Sequence, residues 1–360
     1  MNDKIRIPVT KKLKLKHKNL FILASVLFIV LLGLIFLTSG KSEKPKEKIK
    51  NNEDVKDLEQ KNNESLKIVD INGKSRPYAV MINNIGVARP LQSGLQDAYI
   101  IYEMIVEGGL TRYLALFMVQ NTERIGSIRS ARHYYLDYAL ENDAIYVHHG
   151  QSPQAQADFS ALKVDRVVVD ASKTGWRDKK LNVSSEHTLF TNIEKLNKGL
   201  NKIRKERNKD LLLNYSVDEV NLNDLDESKV ANKISIEYSS GMVSSYEYDS
   251  ASKVYNRFVN NKEHVDYVTK KQYNFKNIIT YQVKNYNLND TENKGRQGID
   301  NIGSGVGYYI TNGYAVKINW KKDCRDCQTI YTHLDGKEID VNDGNTFIQI
   351  QPSNKKLTIE

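Results

Sequence analysis

A run of 18 consecutive uncharged and mostly apolar residues, Leu20–Leu37, constrains this chain more than any other feature. A helix rises about 1.5 Å per residue, so about 20 residues cross a hydrocarbon core of about 30 Å. The run is longer than the apolar region of about 7–15 residues found in a cleavable signal peptide. We therefore predict an uncleaved transmembrane helix over residues 19–39. A long signal peptide, cut at the small residues 38–40, is the alternative.

The charges on either side of this run predict its orientation. Residues 1–18 carry seven basic residues and one acidic residue, a net charge of +6, whereas the residues just after the run are mixed in charge. Basic flanks stay in the cytoplasm, so we predict a single-pass protein of the cell membrane with a cytoplasmic N-terminus and an extracytoplasmic bulk. Most of the whole-chain net charge of +9 lies in this tail, so no nucleic-acid partner is expected.

The rest of the chain is predicted to form a stalk and two domains. Residues 40–69 are rich in Lys, Glu and Asn and contain no aromatic residue, which favours a flexible charged stalk. Residues 70–215 alternate short apolar runs with helical patterns, which predicts an α/β domain with a mixed sheet. Gly108-Gly109 indicates a hairpin between its second and third strands. The five strands are expected at 78–82, 99–106, 113–119, 144–147 and 166–169, and the helices at 130–140, 153–162 and 193–207.

Residues 216–360 are predicted to form a mostly antiparallel β domain. Tyr, Val and Ile alternate there with polar residues, as in half-buried strands. Asn-Gly and Asp-Gly pairs at 312–313, 335–336 and 343–344 are hairpin signals, and a small barrel or sandwich is the expected result. The domain is also rich in tyrosine. Exposed rings on one face could dock an envelope protein partner, and this non-catalytic scaffold is our alternative function.

Cys324 and Cys327 are the only cysteines and form a CxxC motif. Such a pair can be a redox pair, half of a zinc site or a local disulfide. The sequence has no second CxxC, and the motif lies among short β-type runs. We favour a surface hairpin tip that is closed by a disulfide.

Arginines and glutamates form the first group of candidate binding residues. Glu103 and Glu107 lie near the predicted hairpin turn, and Arg112 follows it. Arg129 and Arg132 lie at the predicted start of the next helix. A helix N-terminus disfavours cations, so arginines there make sense if an anion binds between them. The alternative is that these arginines form ion pairs with nearby carboxylates.

Further polar residues follow the ends of predicted strands. Asn83 follows the first strand, His148 and His149 follow the fourth, and Arg177 and His187 lie in a long loop, where functional residues are common. Either His148 or His149 is a candidate catalytic proton donor. No HExxH-type spacing occurs, so no metal ligands are assigned, although a divalent ion held by the two glutamates stays open as a cofactor. Whether the chain is an enzyme is left undecided.

Longer motifs are spread over residues 72–352. They include RPYAVMINN at 76–84, ARPLQSGL at 88–95, YEMIVEGGLTR at 102–112, IRSAR at 128–132 and YVHHGQSP at 146–153, with shorter matches at 255–257, 305–307, 320, 335–338 and 344–348. They resemble the YerB-like lipoproteins of Gram-positive bacteria, a family of unknown function. The resemblance implies an extracytoplasmic, membrane-tethered protein of the cell envelope. Members often carry a lipobox cysteine, but no cysteine lies near residue 40, so we expect the helix to be the tether.

A fainter similarity concerns the arginines. One membrane helix, an outer α/β domain and an arginine-bearing stretch after a strand are similar to the LytR-CpsA-Psr glycopolymer transferases, whose arginines hold a lipid pyrophosphate. This similarity implies an anionic cell-wall glycopolymer or a lipid-linked precursor as the ligand. The acidic metal-binding pattern of that family is not evident, so no transferase activity is predicted. Our leading hypothesis is an envelope protein whose α/β domain binds a phosphate- or carboxylate-bearing ligand through Asn83, Glu103, Glu107, Arg112, Arg129, Arg132, Arg177 and His187.

Overall fold

A computed structural model describes residues 66–118 and 121–360. The predicted cytoplasmic tail, the predicted transmembrane segment at 19–39 and nearly all of the predicted stalk lie outside these residues. No helix within the described ranges is long and apolar enough to cross a membrane. The described residues belong to one compact unit.

The described chain is built mainly from short strands joined by turns. The first part provides β1 (Tyr78–Asn83), β2 (Ile100–Ile105), β3 (Thr111–Phe117), β4 (Ile125–Gly126), β5 (Ile145–His148), β6 (Arg166–Val168), β7 (Trp176–Arg177), β8 (Leu189–Thr191) and β9 (Asn214–Ser216). The second part provides β10 (Lys229–Val230), β11 (Lys233–Ser239), β12 (Met242–Asp249), β13 (Val254–Val259), β14 (Lys262–Glu263), β15 (Asn274–Phe275), β16 (Asn277–Val283), β17 (Asn285–Asn287), β18 (Gln297–Ile299), β19 (Gly303–Thr311), β20 (Tyr314–Lys322), β21 (Ile330–Thr332), β22 (Asp340–Asn342), β23 (Thr346–Pro352) and β24 (Leu357–Ile359).

Helices lie between the strands of the first part. The three α-helices within the described ranges are α1 (His133–Glu141), α2 (Pro153–Ala161) and α3 (Ile193–Asn197). α2 begins where it was predicted to begin. The Ser152 hydroxyl accepts a hydrogen bond from the Ala155 amide and proline takes the first helical position, which together stabilise the helix start.

The other two helices differ from the prediction. α1 begins at His133, three residues later than expected, and Arg132 occupies its N-cap without a side-chain hydrogen bond. Residues 127–132 are instead extended across the sheet, because their backbone groups bond to strands there. α3 ends at Asn197 rather than at 207. A helix that continues to 207 is excluded at Asn201, where φ is 41° and lies outside the helical region.

The five strands predicted for the first part lie side by side in one sheet, in the order β2-β3-β1-β5-β6. β2 and β3 form the antiparallel hairpin predicted from Gly108-Gly109, while β1, β5 and β6 run parallel. Neighbouring parallel strands bring their carboxyl ends to one edge of a sheet. Asn83 and His148 lie at that edge because they end β1 and β5.

The same sheet continues into the second part of the chain. β23 lies parallel between β2 and β16, and the β19–β20 hairpin, turned at Asn312-Gly313 as predicted, extends the sheet further. The turn at 343–344 closes no hairpin, because β22 pairs with β9 whereas every residue of β23 is buried within the central sheet. The second part therefore does not close a barrel of its own. The domain boundary predicted between residues 215 and 216 stays a prediction.

A second sheet, in the order β14-β13-β12-β11-β24 with β15 beside β13, packs on the central sheet. Its inward residues alternate along β11, where Ile234, Ile236 and Tyr238 are buried. Most of the tyrosines in this part face the core, which leaves few rings for the predicted aromatic docking face. The buried tyrosines of this part are Tyr238, Tyr246, Tyr255, Tyr273, Tyr281, Tyr309 and Tyr331.

Candidate functional site

Residues 127–132 cross the carboxyl ends of β1 and β5. Backbone hydrogen bonds fix this segment on the sheet. The Asn83 amide donates to the Ser127 carbonyl at 2.9 Å, and the Arg129 amide donates to the Met81 carbonyl at 2.9 Å. On the other side, the His149 amide donates to the Arg129 carbonyl at 3.1 Å. The strand ends therefore decide where the arginines of this segment lie.

Three arginines and two glutamates lie together here and form what we call the arginine group: Arg112, Arg129, Arg132, Glu107 and Glu186. Arg132 holds Glu107 through two hydrogen bonds, Nε to Oε1 at 2.5 Å and Nη2 to Oε2 at 2.9 Å. Arg129 reaches Oε2 of Glu186 at 3.0 Å. Arg112, on β3, donates to a backbone carbonyl of the crossing segment. Three positive and two negative side chains leave the group with one net positive charge.

The charges of the arginine group act on one another. Burial, followed by the like charges of Arg132 and Arg129, lowers the pKa of Arg112 to about 10, against the opposing effect of Glu107. Burial alone would raise the pKa of Glu107, but its hydrogen bonds with Arg132 and the charges of Arg132 and Arg112 hold it below its usual value. Nε of Arg129 is buried and has no hydrogen-bond partner among the described residues. The two carboxylates therefore neutralise only part of the positive charge of the three arginines.

Glu103 lies apart from this group, contrary to the sequence-based prediction. Its fully buried carboxylate pairs with the fully buried guanidinium of Arg257 at 2.7 Å, across the interface between the two sheets. Thr111 and Ser244 donate further hydrogen bonds to it, at 2.6 Å and 3.0 Å. A carboxylate so enclosed neither orients Arg112 nor holds an ion together with Glu107. Side chains along β2 point alternately to the two faces of the central sheet, and that of Glu103 points towards the second sheet.

The two adjacent histidines point in different directions, as expected for neighbours at a strand end. His148 is buried, and its Nδ1 lies 2.8 Å from the Gly150 carbonyl, so we assign the proton to Nδ1. Burial lowers the pKa of His148 to about 4, so the ring is neutral near pH 7 and poorly placed as a surface proton donor. His149 is exposed, with Nδ1 2.8 Å from the Val169 carbonyl, and stays the candidate for that role.

The remaining predicted residues flank Arg129. Asn83 Nδ2 lies 3.0 Å from Nδ1 of His187, and Nε2 of His187 lies 3.5 Å from Oε1 of Glu186. Burial lowers the pKa of His187 against the opposing charge of Glu186, so this ring accepts the Asn83 proton in its neutral form. Arg177 donates a hydrogen bond to the Ser185 carbonyl and so stabilises the turn that carries Glu186 and His187. These contacts place the backbone of Glu186 beside Arg129.

Cys324 and Cys327 form a disulfide in the connection between β20 and β21, as favoured from the sequence. Together with Asp326 they are the one group among residues 66–118 and 121–360 whose ligand atoms could converge on a metal ion. A disulfide sulfur is not a thiolate, and the thiolate is the form that binds metals. The arginine group contains no such convergent set of metal ligands within the described ranges.

The sequence did not indicate that Glu186 pairs with Arg129 or that Arg257 pairs with Glu103. Glu186 precedes His187 in the long loop, and its contact with Arg129 bridges 57 positions. Arg257 meets Glu103 across 154 positions. The signal that could have found Arg257 is an arginine in the middle of a strand pattern, since a charged residue at a buried position needs a buried partner.

The fold and this site define a β-rich α/β protein with a group of arginines and carboxylates at the carboxyl ends of its parallel strands. The chain belongs to the family described as "Protein of unknown function (DUF3048)". The N-terminal domain of that family matches residues 65–207, and its C-terminal domain matches residues 234–348.

Two comparisons with individual proteins agree with this assignment. The chain is 31% identical over 288 residues to "Putative lipoprotein YerB" of Bacillus subtilis (strain 168). The aligned residues cover 77% of this chain and 81% of the relative. The crystal structure of YerB protein from Bacillus subtilis superposes with a TM-score of 0.67 at 26% identity, covering 79% of this chain and 94% of that one. The resemblance predicted from the motifs is thereby confirmed.

Proposed function

We propose that this chain is a membrane-tethered, extracytoplasmic protein of a Gram-positive cell envelope whose arginine group binds an anionic ligand. The ligand carries phosphate or carboxylate groups, as an anionic cell-wall glycopolymer or a lipid-linked precursor does. One observation carries the proposal: the arginine group has excess positive charge, and Nε of Arg129 is buried without a partner in the part of the chain that is described. A bound anion supplies both the missing charge and the missing acceptor.

Glu186 occupies the place on Arg129 that the ligand would take. Its side chain is 55% exposed, against 20% for that of Arg129, and such exposed ion pairs contribute only about 0–1 kcal/mol. The carboxylate can therefore turn into solvent at low cost. A phosphate carries about two negative charges and accepts two hydrogen bonds from one guanidinium, so it competes well with one glutamate. Arg132 is neutralised by Glu107 at 2.5 Å, so the excess positive charge beside Arg129 is that of Arg112, which donates to an uncharged backbone carbonyl.

Titration calorimetry with inorganic pyrophosphate tests this site. Arg129→Ala is expected to weaken binding about tenfold or more, because a hydrogen bond to a charged group contributes about 1.5–3 kcal/mol. Glu186→Gln is expected to strengthen binding, because it removes the competing charge. Arg204→Ala is the matched control, since it breaks an arginine–carboxylate pair with Asp143 at 2.6 Å outside the arginine group. Equal affinity for the parent chain and for the Arg129 and Glu186 variants would contradict the proposal.

The tether of this proposal is the helix predicted at residues 19–39, and the word lipoprotein in the name of the Bacillus subtilis relative supports an envelope location. A protease added to intact protoplasts should digest the folded unit and leave a short membrane fragment. A cytoplasmic control protein should survive the same treatment. Protection of the folded unit until the cells are lysed would show that the proposed compartment is wrong.

A further inference from the structure

A cavity of about 360 Å³, which we call the Arg89 cavity, is lined by residues from 86–90 and 259–267 and by Lys270. No member of the arginine group lines it. Its volume falls within the range of about 300–1,000 Å³ that is usual for small-ligand sites. Arg89 belongs to the motif at 88–95, which the arginine group does not use. The cavity is therefore a separate candidate site with room for a small organic molecule.

The guanidinium of Arg89 is held in place by uncharged groups. Its Nε donates to Oδ1 of Asn84 at 3.0 Å, and its Nη2 donates to the Asn84 carbonyl at 3.0 Å. Nη2 also lies 3.6 Å from Sδ of the buried Met242. No carboxylate within the described ranges forms an ion pair with Arg89, so all of its partners there are neutral. The position of this half-buried cation is fixed, but its charge has no counter-ion.

Nη1 is the part of this guanidinium that is left for a ligand. It makes no hydrogen bond to a described residue, and it is not one of the enclosed polar atoms without a partner in that part of the chain. An unpartnered atom of a half-buried residue that is not enclosed is open to solvent. Nη1 therefore offers two N–H donors to a molecule that enters the cavity.

Asp266 also lines the Arg89 cavity, but its carboxylate is engaged by other groups. Oδ2 accepts hydrogen bonds from the Gly94 amide at 2.8 Å and from the Tyr273 hydroxyl at 2.7 Å. Oδ1 accepts from the amides of Val268 and Thr269, at 2.7 Å and 2.8 Å. These bonds tie the loop of the second part to the first. They form this wall of the cavity before any ligand arrives.

The charges of the lining leave an excess of one positive charge. Arg89, Lys262 and Lys270 oppose Glu263 and Asp266. Lys262 and Lys270 are exposed and form no ion pair within the described ranges, and Nζ of Lys270 lies 4.2 Å from the centre of a tyrosine ring. One net positive charge suits a ligand with one negative charge.

The buried His264 lines the cavity without adding to its charge. Burial, followed by the charges of Arg257 and Arg89, holds the pKa of His264 well below its usual value, so the ring is neutral near pH 7. The charge of Arg257 is itself compensated by Glu103. Arg89 is therefore the cation at this cavity that lacks a compensating group.

We propose that the Arg89 cavity binds a small organic carboxylate. The carboxylate accepts hydrogen bonds from Nη1 of Arg89, and the exposed lysines attract it to the cavity. A carboxylate carries one negative charge at pH 7 and so matches the lining better than a phosphate monoester, which carries about two. The apolar part of the ligand lies against Pro90, Val265 and Tyr267, which also line the cavity.

Binding is measured by titration calorimetry on the full chain, in a non-ionic detergent and a buffer free of carboxylates and phosphate. The chain carries Arg129→Ala, so that the arginine group does not contribute. The probes are N-acetylvaline and N-acetylphenylalanine, and their uncharged amides are the control ligands. We expect saturable binding of at least one carboxylate and none of its amide. Failure of both carboxylates to bind, equal binding of the amides, or tighter binding of inorganic phosphate would overturn the proposal.

Further variants then place the binding in the Arg89 cavity. Arg89→Gln, which keeps a side-chain donor but removes the charge, is expected to weaken binding about tenfold or more, as for one lost hydrogen bond to a charged group. Lys262→Ala/Lys270→Ala changes two exposed residues and is expected to weaken binding about threefold without lowering Tm. Lys202→Ala/Lys205→Ala removes the same charge from two exposed residues elsewhere and should bind like the parent.

Parent-like affinity for both the Arg89 variant and the Lys262/Lys270 variant would show that the carboxylate does not occupy this cavity. The double lysine variant keeps this test valid if Arg89→Gln fails to fold. Because the arginine group is disabled throughout, such a result leaves the proposed function unaffected.

Discussion

Breaking the ion pair between Glu103 and Arg257 is expected to destabilise the fold strongly. Both side chains are fully buried, and Nη2 lies 2.7 Å from Oε2. Glu103 also accepts hydrogen bonds from Thr111 at 2.6 Å and Ser244 at 3.0 Å, so neutralising it weakens several contacts and leaves a buried guanidinium unpaired. Removing one partner of a buried pair costs about 3–5 kcal/mol. For a unit of this size, that loss corresponds to a fall in Tm of about 10 °C.

Glu103→Gln tests this expectation most directly, because it keeps the side-chain volume and removes the charge. Denaturant unfolding followed by tryptophan fluorescence measures the free energy of unfolding. Glu247→Gln is the control, since it makes the same change in an exposed pair with Lys233 at 3.3 Å, and should alter stability by less than about 1 kcal/mol. The double variant Glu103→Gln/Arg257→Met should recover most of the loss, because no unpaired charge then stays buried.

Two results would refute this account of the ion pair. One is a loss below about 1 kcal/mol for Glu103→Gln, well under the cost expected for a buried pair. The other is a double variant that is no more stable than the single one. If Glu103→Gln instead abolished pyrophosphate binding and left stability unchanged, the sequence-based assignment of Glu103 to the ligand site would be right.

Three other perturbations have defined outcomes. Burial lowers the pKa of His148 from 6.5 to about 4, so the unfolded chain binds more protons between these values and stability rises as pH increases through them. His148→Phe should remove this rise, which unfolding free energies at several pH values would detect. Cys324→Ser/Cys327→Ser should cost about 2 kcal/mol in urea unfolding, because the disulfide closes only a short loop. Ser152→Ala should lower the free energy of unfolding by about 1 kcal/mol through loss of the helix cap, whereas Ser160→Ala on the same helix should not.

The candidate site was predicted only in part. Arg112, Arg129 and Arg132 lie together as expected, because the hairpin and the crossing segment meet at the same edge of the sheet. The reason given for that arrangement holds only in part. Arg132 occupies the N-cap of α1, whereas Arg129 lies on an extended segment that bonds to β1. Glu107 was correctly placed beside them, whereas the burial of Glu103 required knowledge of the second sheet.

Local structure was determined by the sequence alone. The β2–β3 hairpin and the capped start of α2 depend on residues that are close along the chain, so turn and cap residues suffice to specify them. The family, too, was recognisable from short motifs. Only the tertiary structure decided that β23 lies between β2 and β16, and that Glu103 meets Arg257 across 154 positions. Many strands here offer similar hydrogen-bonding edges, so their pairing is selected by the packing of the whole core rather than by any local signal.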